Sequence, residues 1–228
     1  MKAILLAAGF GTRLRPLTET IPKCLVPIKN IPLLRIWLNR LSEAGIDSFL
    51  VNTHYLSGKV NYFIRNSDYN DRVTVVYEPE LLGTVGTLIK NIYFFKGEDG
   101  MLIHADNYCL ADLSEFISAH KNRPVHCLMT MMTFRTDNLS SCGIVEIDKE
   151  SVVTGFYEKV ASSHGNLANG AVYILSKEII SLIGKELSFV KDFSTEILPL
   201  FLGRIYTYET KGIFIDIGTP EAYALVNE

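Results

Sequence analysis

A glycine loop that directly follows an apolar strand constrains this chain more than any other feature. The loop, residues 7–15, reads Ala-Ala-Gly-Phe-Gly-Thr-Arg-Leu-Arg. Its glycines, Gly9 and Gly11, let the backbone approach an anion and turn successive N–H groups towards it. Positive charge is supplied within and just after the loop by Arg13, Arg15 and Lys23. The pattern predicts a cradle for a triphosphate.

The spacing of this loop differs from that of two common phosphate-binding loops. A dinucleotide fingerprint, GxGxxG, needs a third glycine where this chain has Leu14. A P-loop needs Gly-Lys followed by Ser or Thr, and that run is absent from the sequence. The spacing therefore disfavours a P-loop NTPase and a nicotinamide-dependent oxidoreductase.

The rest of the first half alternates between strand-like and helix-like segments. Short apolar segments predict strands over 2–7, 48–53, 73–77 and 101–105. Helical spacing of apolar residues predicts helices over 31–44, 84–95 and 112–122. This alternation predicts an α/β fold with a Rossmann-like, doubly wound, mainly parallel sheet and helices on both faces. Ligands of such sheets bind beyond the carboxyl ends of the strands, where the glycine loop and Asp106 both fall.

The second half is richer in strands and predicts a mixed β extension of that sheet. Strands are predicted over 125–134, 143–147, 152–158, 171–175, 205–209 and 212–217, with a hairpin turn at 148–151. Helices are predicted over 177–184 and 191–202, and a last one begins at Thr219, with Pro220 in its first turn. With 228 residues, 48% of them hydrophobic, the chain is predicted to be one domain over 1–228.

A long, ordered set of motifs resembles the sugar-1-phosphate nucleotidyltransferases, also called nucleotide-sugar pyrophosphorylases. The signature is the segment 6–18 followed by Pro22-Lys23-x-Leu25-x-Pro27. Further matches follow in order along the chain at 82–87, Asp106, 142–146, 158–159, 169–173 and 216–221. Together they cover essentially the whole sequence. The resemblance implies a GT-A-like nucleotidyltransferase fold, with 1–122 mainly binding nucleotide and 123–228 mainly binding sugar phosphate.

The resemblance also implies a reaction and the residues that perform it. A sugar 1-phosphate would attack the α-phosphorus of a nucleoside triphosphate, and pyrophosphate would leave. The implied catalytic residues are Arg13, Lys23 and Asp106. The implied nucleotide-binding residues are Leu6, Ala7, Ala8, Gly9, Gly11, Thr12, Arg13, Lys23, Glu78, Gly83, Thr84 and Asp106. The implied sugar-phosphate-binding residues are Gly143, Glu158, Lys159 and Asn169.

Two aspartates at strand ends match the magnesium ligands of that family. Asp106 and Asp216 each end an apolar segment, and a carboxylate there is costly unless it is paired or binds a metal. Mg²⁺ accepts one or two carboxylates together with substrate phosphates, so Mg²⁺ is the expected cofactor. The run His104-Ala105-Asp106 departs from the commoner Gly-Asp of the family.

Composition excludes several classes of partner. The net charge of −3 disfavours nucleic acid, and no apolar run reaches the roughly eighteen residues that would span a bilayer. With no signal before the first strand, we expect a cytoplasmic protein. The absence of a hexapeptide repeat predicts no C-terminal β-helix domain. A homodimer is compatible with the sequence.

Cys24 adjoins Lys23, which could lower the pKa of its thiol, but the implied reaction needs no nucleophilic residue.

The identity of the substrates is the most open point. The segment Leu82-Gly83-Thr84-Val85-Gly86 is closest in pattern to mannose-1-phosphate and D-glycero-D-manno-heptose-1-phosphate guanylyltransferases, which favours GTP. The alternatives are UTP, dTTP or CTP as donor, and another sugar phosphate or a non-sugar phosphate as acceptor. A non-catalytic nucleotide-sugar sensor is a further alternative, disfavoured because Arg13, Lys23, Asp106 and Asp216 are all present.

Overall fold

The structure is a computed structural model that describes residues 1–158, 165–187 and 189–227. Its contacts divide the chain into two compact units. The first unit comprises Met1–Leu81, Ile103–Leu113 and Gly212–Glu228, and the second comprises Leu82–Leu102 and Ser114–Lys211. The units therefore interleave along the chain, whereas the halves proposed from the sequence, 1–122 and 123–228, follow one another. That the first half mainly binds nucleotide and the second mainly binds sugar phosphate stays a prediction.

Thirteen strands and six α-helices make up the described part of the chain. The strands are β1 (Lys2–Leu6), β2 (Pro27–Ile28), β3 (Ile31–Pro32), β4 (Phe49–Thr53), β5 (Val73–Tyr77), β6 (Gly100–His104), β7 (Asn107–Cys109), β8 (Met129–Arg135), β9 (Gly143–Ile147), β10 (Val153–Glu158), β11 (Leu167–Leu175), β12 (Ile205–Glu209) and β13 (Phe214–Asp216). The helices are α1 (Leu33–Glu43), α2 (Ser57–Arg65), α3 (Gly83–Lys90), α4 (Leu113–Lys121), α5 (Lys177–Glu186) and α6 (Pro220–Asn227).

The first unit is built on parallel strands whose carboxyl ends share one edge. Strand β4 pairs in parallel with β1 and with β5. On the other side of β1, the Ala105 amide, just after β6, donates to the Leu6 carbonyl at 3.1 Å. A two-stranded ribbon, β7 with β13, lies in the same unit and places Asp216 opposite Asn107. The ribbon thereby carries the end of β13 to the residue that follows Asp106.

The second unit is mainly antiparallel. Strand β11 pairs with β8 and with β9, and β9 pairs with β10 through the turn at residues 148–151. The predicted hairpin is thus confirmed, and the Asp148 amide closes it on the Val152 carbonyl at 2.9 Å. Among the described partners of β8, β12 is the one that pairs with it in parallel. Together the two units confirm the predicted α/β class with a mixed central sheet and helices.

Three differences from the predicted elements have local causes. Helix α1 begins at Leu33 rather than at residue 31, because Ile31–Pro32 pairs with Pro27–Ile28. The segment 191–202 is a π-turn over Phe193–Ile197 and a 3-10 helix over Leu198–Phe201, where Pro199 removes an amide donor from a regular helix. Helix α2 is absent from the prediction, because it buries only Val60 and Ile64 and therefore has a weak apolar periodicity. Among the described residues, no helix is long and apolar enough to cross a membrane.

Candidate active site

The start of the glycine loop is held by hydrogen bonds to two buried polar side chains of the first unit. The Ala7 amide donates to Asn52 Oδ1 at 2.8 Å, and Asn52 Nδ2 donates to Glu78 Oε1 at 3.0 Å. Asn52 and Glu78 are both buried, Glu78 with only 1% of its surface exposed. Because the three residues stand at or just after the ends of β1, β4 and β5, these bonds tie the start of the loop to the sheet edge. The Glu78 side chain therefore supports the loop through Asn52, and its contact with nucleotide stays a prediction.

The turn of the loop requires glycine at position 11. Gly11 has a φ of +63°, and an added Cβ would lie 3.0 Å from Thr18 Cγ2 and 3.1 Å from Lys23 Cβ. The Thr18 hydroxyl donates to the Gly11 carbonyl at 2.7 Å, which holds the turn. A single 3-10 turn over Thr12–Leu14 follows, with Leu14 buried and Arg13 directed outward. Space above Gly9 is open, since an added Cβ there would meet no atom within 4 Å.

A cluster of two cations and two carboxylates lies beside this loop. Lys23 Nζ donates to Asp106 Oδ2 at 2.9 Å and to Asp216 Oδ1 at 3.2 Å. Arg13 Nη2 donates to Asp216 Oδ2 at 3.2 Å. The Lys23 side chain is 7% exposed, whereas Asp106 and Asp216 are 41% and 28% exposed. The structure thus brings together four of the residues selected from the sequence, all within the first unit.

Lys23 and Asp106 hold each other ionised. Burial alone would lower the pKa of Lys23, but the nearby carboxylates of Asp106 and Asp216 raise it above its ordinary value. Loss of water would raise the pKa of Asp106, but the Lys23 ammonium, with a smaller effect from His104, keeps that pKa below its ordinary value. Lys23 therefore carries a fixed positive charge, and Asp106 a negative one, around neutral pH.

Gly218 sets how closely Arg13 approaches Asp216. An added Cβ at Gly218 would lie 2.6 Å from Arg13 Nη2 and 2.9 Å from Asp216 Oδ1. The Gly218 amide donates to Asp216 Oδ1 at 2.9 Å. This glycine was not selected from the sequence, although it lies in the quoted segment 216–221.

The two carboxylates suit a divalent cation. Asp106 and Asp216 converge on a single cationic atom, Lys23 Nζ, so one positive centre can contact both. Among the described residues, no group of three or more His, Cys, Asp or Glu side chains is arranged to hold a metal ion. Two carboxylates without further protein ligands correspond to Mg²⁺ that also binds substrate phosphates and water.

In the second unit, Gly83 and Thr84 begin helix α3 and pack against the segment after α5. Gly83 has a φ of +76°, and an added Cβ would lie 2.5 Å from the Lys191 carbonyl oxygen. Thr84 Oγ1 accepts from the Phe193 amide at 2.7 Å. Close backbone packing is thus a sufficient reason for glycine at position 83, and the predicted contact of both residues with a nucleotide stays a prediction.

Three of the four residues selected for the sugar phosphate lie on adjacent strands of the second unit. Gly143 on β9 pairs with Glu158 on β10, and an added Cβ at Gly143 would lie 2.7 Å from Glu158 Oε2. Asn169 on β11 follows Ala168, which pairs with Ile144. The Asn169 amide group donates to the buried Tyr173 hydroxyl at 2.7 Å. Lys159, the fourth residue, lies outside the described residues.

Comparison with known proteins decides the family. The family profile described as "Nucleotidyl transferase" matches residues 2–228. The chain belongs to the nucleotidyl transferase family. This membership confirms the resemblance stated from the sequence motifs.

Individual nucleotidyl transferases resemble the chain over nearly all of its length. A D-glycero-alpha-D-manno-heptose 1-phosphate guanylyltransferase of Aneurinibacillus thermoaerophilus is 30% identical, covering 98% of this chain and 95% of that protein. A mannose-1-phosphate guanyltransferase of Schizosaccharomyces pombe is 29% identical, covering 98% of this chain and 62% of that protein. The crystal structure of HddC from Yersinia pseudotuberculosis complexed with GMP-PN has a TM-score of 0.82 and 28% identity, covering 99% of this chain and 97% of that one.

These likenesses confirm the predicted GT-A-like nucleotidyltransferase fold. The chain spans only 62–63% of the length of several curated mannose-1-phosphate guanyltransferases that it matches.

Cys24 of this nucleotidyl transferase corrects one expectation from the sequence. Its proximity to Lys23 suggested a lowered thiol pKa, but Cys24 is only 1% exposed. Burial, the largest effect, raises the pKa of the thiol to about 12. The side chain is therefore an inert part of the core.

Two supporting residues of this nucleotidyl transferase were missed from the sequence. Asn52 has a detectable signal, because it is a polar residue inside the fully buried strand Phe49–Thr53. Thr18 has one too, because it ends the quoted signature segment 6–18, but it was not selected as a site residue. Both act on the backbone of the loop rather than on a ligand.

Proposed function

We propose that the chain transfers a guanylyl group from GTP to a mannose-type or manno-heptose-type sugar 1-phosphate. An oxygen of the sugar phosphate forms a bond to the α-phosphorus, and the bond from that phosphorus to the bridging oxygen of the β-phosphate breaks. The products are a GDP-sugar and pyrophosphate, which keeps the departing electron pair. The convergence of Lys23 and Arg13 with Asp106 and Asp216 beside the glycine loop carries the proposed nucleotidyl transfer. The guanylyltransferases among the relatives support the choice of substrates.

The first-unit residues would overcome the repulsion between two anionic substrates. Arg13 and the N–H groups of residues 9–12 would hold the β- and γ-phosphates, since a planar guanidinium suits a pyrophosphate leaving group. Lys23 would contact the α-phosphate, where its buried charge is least screened by water. The attacking phosphate oxygen is already ionised, so no general base is needed. Holding the reactants in line supplies roughly 7–11 kcal/mol of the rate enhancement in well-oriented systems.

Asp106 and Asp216 would hold Mg²⁺, which when bound neutralises phosphate charge. This assignment is supported by the convergence of both carboxylates on one cationic atom. Because nucleoside triphosphates are cytoplasmic metabolites, the proposed substrates also favour a cytoplasmic protein.

The remaining residues would bind the outer parts of the substrates. The nucleoside would be contacted by backbone groups of Leu6, Ala7, Ala8, Gly83 and Thr84. Glu78 would support the glycine loop through Asn52. In the second unit, Glu158 and Asn169 would bind sugar hydroxyls, the Gly143 amide would face the sugar ring, and Lys159 would bind the sugar phosphate. The pairing of Gly143 with Glu158 on adjacent strands supports their sharing one ligand.

Pyrophosphate release in a matrix of donors and acceptors tests this proposal. The chain is assayed with Mg²⁺ and GTP, UTP, dTTP or CTP, against mannose 1-phosphate, manno-heptose 1-phosphate, glucose 1-phosphate and phosphocholine. We expect the highest kcat/KM for GTP with mannose or manno-heptose 1-phosphate, and a product that appears as a GDP-sugar by mass spectrometry. Preference for another donor, or for phosphocholine, would overturn the substrate assignment. No pyrophosphate release with any pair of donor and acceptor would overturn the proposed activity itself.

A further inference from the structure

The four charged groups of the first-unit cluster cancel one another. Asp106 and Asp216 contribute two negative charges, and Lys23 and Arg13, which contact them directly, contribute two positive charges. In this arrangement, the carboxylates offer little net attraction to a divalent cation.

The position of Lys23 makes this compensation hard to undo. Its side chain is 7% exposed, and its ammonium bonds both carboxylates, so it has little access to water as an alternative partner. A dication placed on both carboxylates would face the Lys23 ammonium at short range and would leave that buried charge unpaired, which is strongly unfavourable. Arg13 is different, because its side chain is 59% exposed and can leave Asp216 for solvent.

A triphosphate changes this balance, because it supplies another anion for both cations. With Arg13 and Lys23 bonded to phosphates, the carboxylates lose their counter-ions and regain their attraction for a dication. We propose that Lys23 is the resident counter-ion of Asp106 and Asp216, and that it excludes a divalent cation from them until a triphosphate binds. Metal and nucleotide then bind with positive coupling, and each increases the affinity for the other. The inference rests on the proposed function for the identity of the anion, but not for the metal-binding behaviour of the chain alone.

Binding of Mn²⁺ to the chain without nucleotide tests this inference directly. Free Mn²⁺ is measured by electron paramagnetic resonance for the wild type, for Lys23→Gln and for Lys29→Met, an exposed lysine whose removal changes the net charge equally. We expect Lys23→Gln to bind Mn²⁺ at least about tenfold more tightly than the wild type, a change of about 1.4 kcal/mol. Lys29→Met is expected to match the wild type.

Two further measurements keep the test decisive. Adding Asp106→Asn to Lys23→Gln should abolish the gain, and a gain that persists would place the metal elsewhere and overturn the inference. In the wild type, Mn²⁺ alone should leave the thermal midpoint unchanged, which needs no variant to fold; a rise of several degrees would overturn the inference. Equal Mn²⁺ affinities for the wild type and Lys23→Gln would overturn it too. None of these results depends on turnover, so an inactive chain that binds Mn²⁺ as expected would refute only the proposed function.

Discussion

Replacing Lys23 by methionine should reduce kcat more than any other single change of charge in the glycine loop or its surroundings. The substitution keeps an unbranched side chain and replaces its charged end by an uncharged thioether. Lys23 is 7% exposed and Arg13 is 59% exposed, so the field of Lys23 is less screened by water. Loss of one preorganised electrostatic contact to the reacting group costs about 2.7–4 kcal/mol, or roughly 10²–10³ in kcat. We expect a decrease of at least about a hundredfold.

The assay for Lys23→Met follows pyrophosphate release at saturating GTP and sugar 1-phosphate. Lys29→Met is the matched control, since the same charge is removed outside the cluster, and we expect its kcat to stay close to that of the wild type. Circular dichroism melting shows whether each variant is folded at the assay temperature. If folded Lys23→Met keeps more than about a tenth of the wild-type kcat, Lys23 does not stabilise the transition state and the reasoning is refuted.

Three other predictions concern neighbouring groups. Gly218→Ala places a methyl group where the Arg13 guanidinium lies, so it should displace that group from its position beside the glycine loop and raise KM for GTP by about tenfold with little change in stability; an unchanged KM would contradict this role of Gly218. Asn52→Ala should lower the free energy of unfolding in urea by about 1–3 kcal/mol, because it removes a hydrogen-bond partner from the buried Ala7 amide and from the Glu78 carboxylate. Asn70→Ala, at an exposed position, should change that free energy little. Equal losses in the two variants would contradict this role of Asn52. Burial keeps the folded-state pKa of His120 below its ordinary 6.5, so the free energy of unfolding is highest above pH 6.5 and falls by up to about 2 kcal/mol by pH 5. Thermal melting midpoints of the wild type and of His120→Gln should therefore converge as the pH falls. A constant difference between the two midpoints would contradict this role of His120.

The sequence predicted several strands within their observed limits and missed one helix. Apolar runs bounded by turn residues located β5 and β9 within their observed limits, Val73–Tyr77 and Gly143–Ile147. Helix α2, Ser57–Arg65, was missed because it buries only Val60 and Ile64 and has a glycine in its first turn. Its periodic signal is therefore weak, and tertiary contact decides its conformation.

For the candidate site, the sequence predicted residue types and the structure supplied their partners. Asp106 and Asp216 were selected independently as strand-end carboxylates, but their meeting depends on the ribbon that sets Asp216 opposite Asn107. A strand as short as Asn107–Cys109 has no periodicity by which to predict it. Likewise, Gly83 was predicted to admit a ligand, and only the coordinates show how closely it approaches the Lys191 carbonyl.

The most direct test of the central claim is a crystal structure of the chain with a non-hydrolysable GTP analogue and Mn²⁺. The account predicts the triphosphate on the glycine loop, with Arg13 and Lys23 bonded to its phosphates and an anomalous Mn²⁺ peak bound by Asp106 and Asp216. A triphosphate bound away from these four residues, or Mn²⁺ bound without contact to either aspartate, would contradict it.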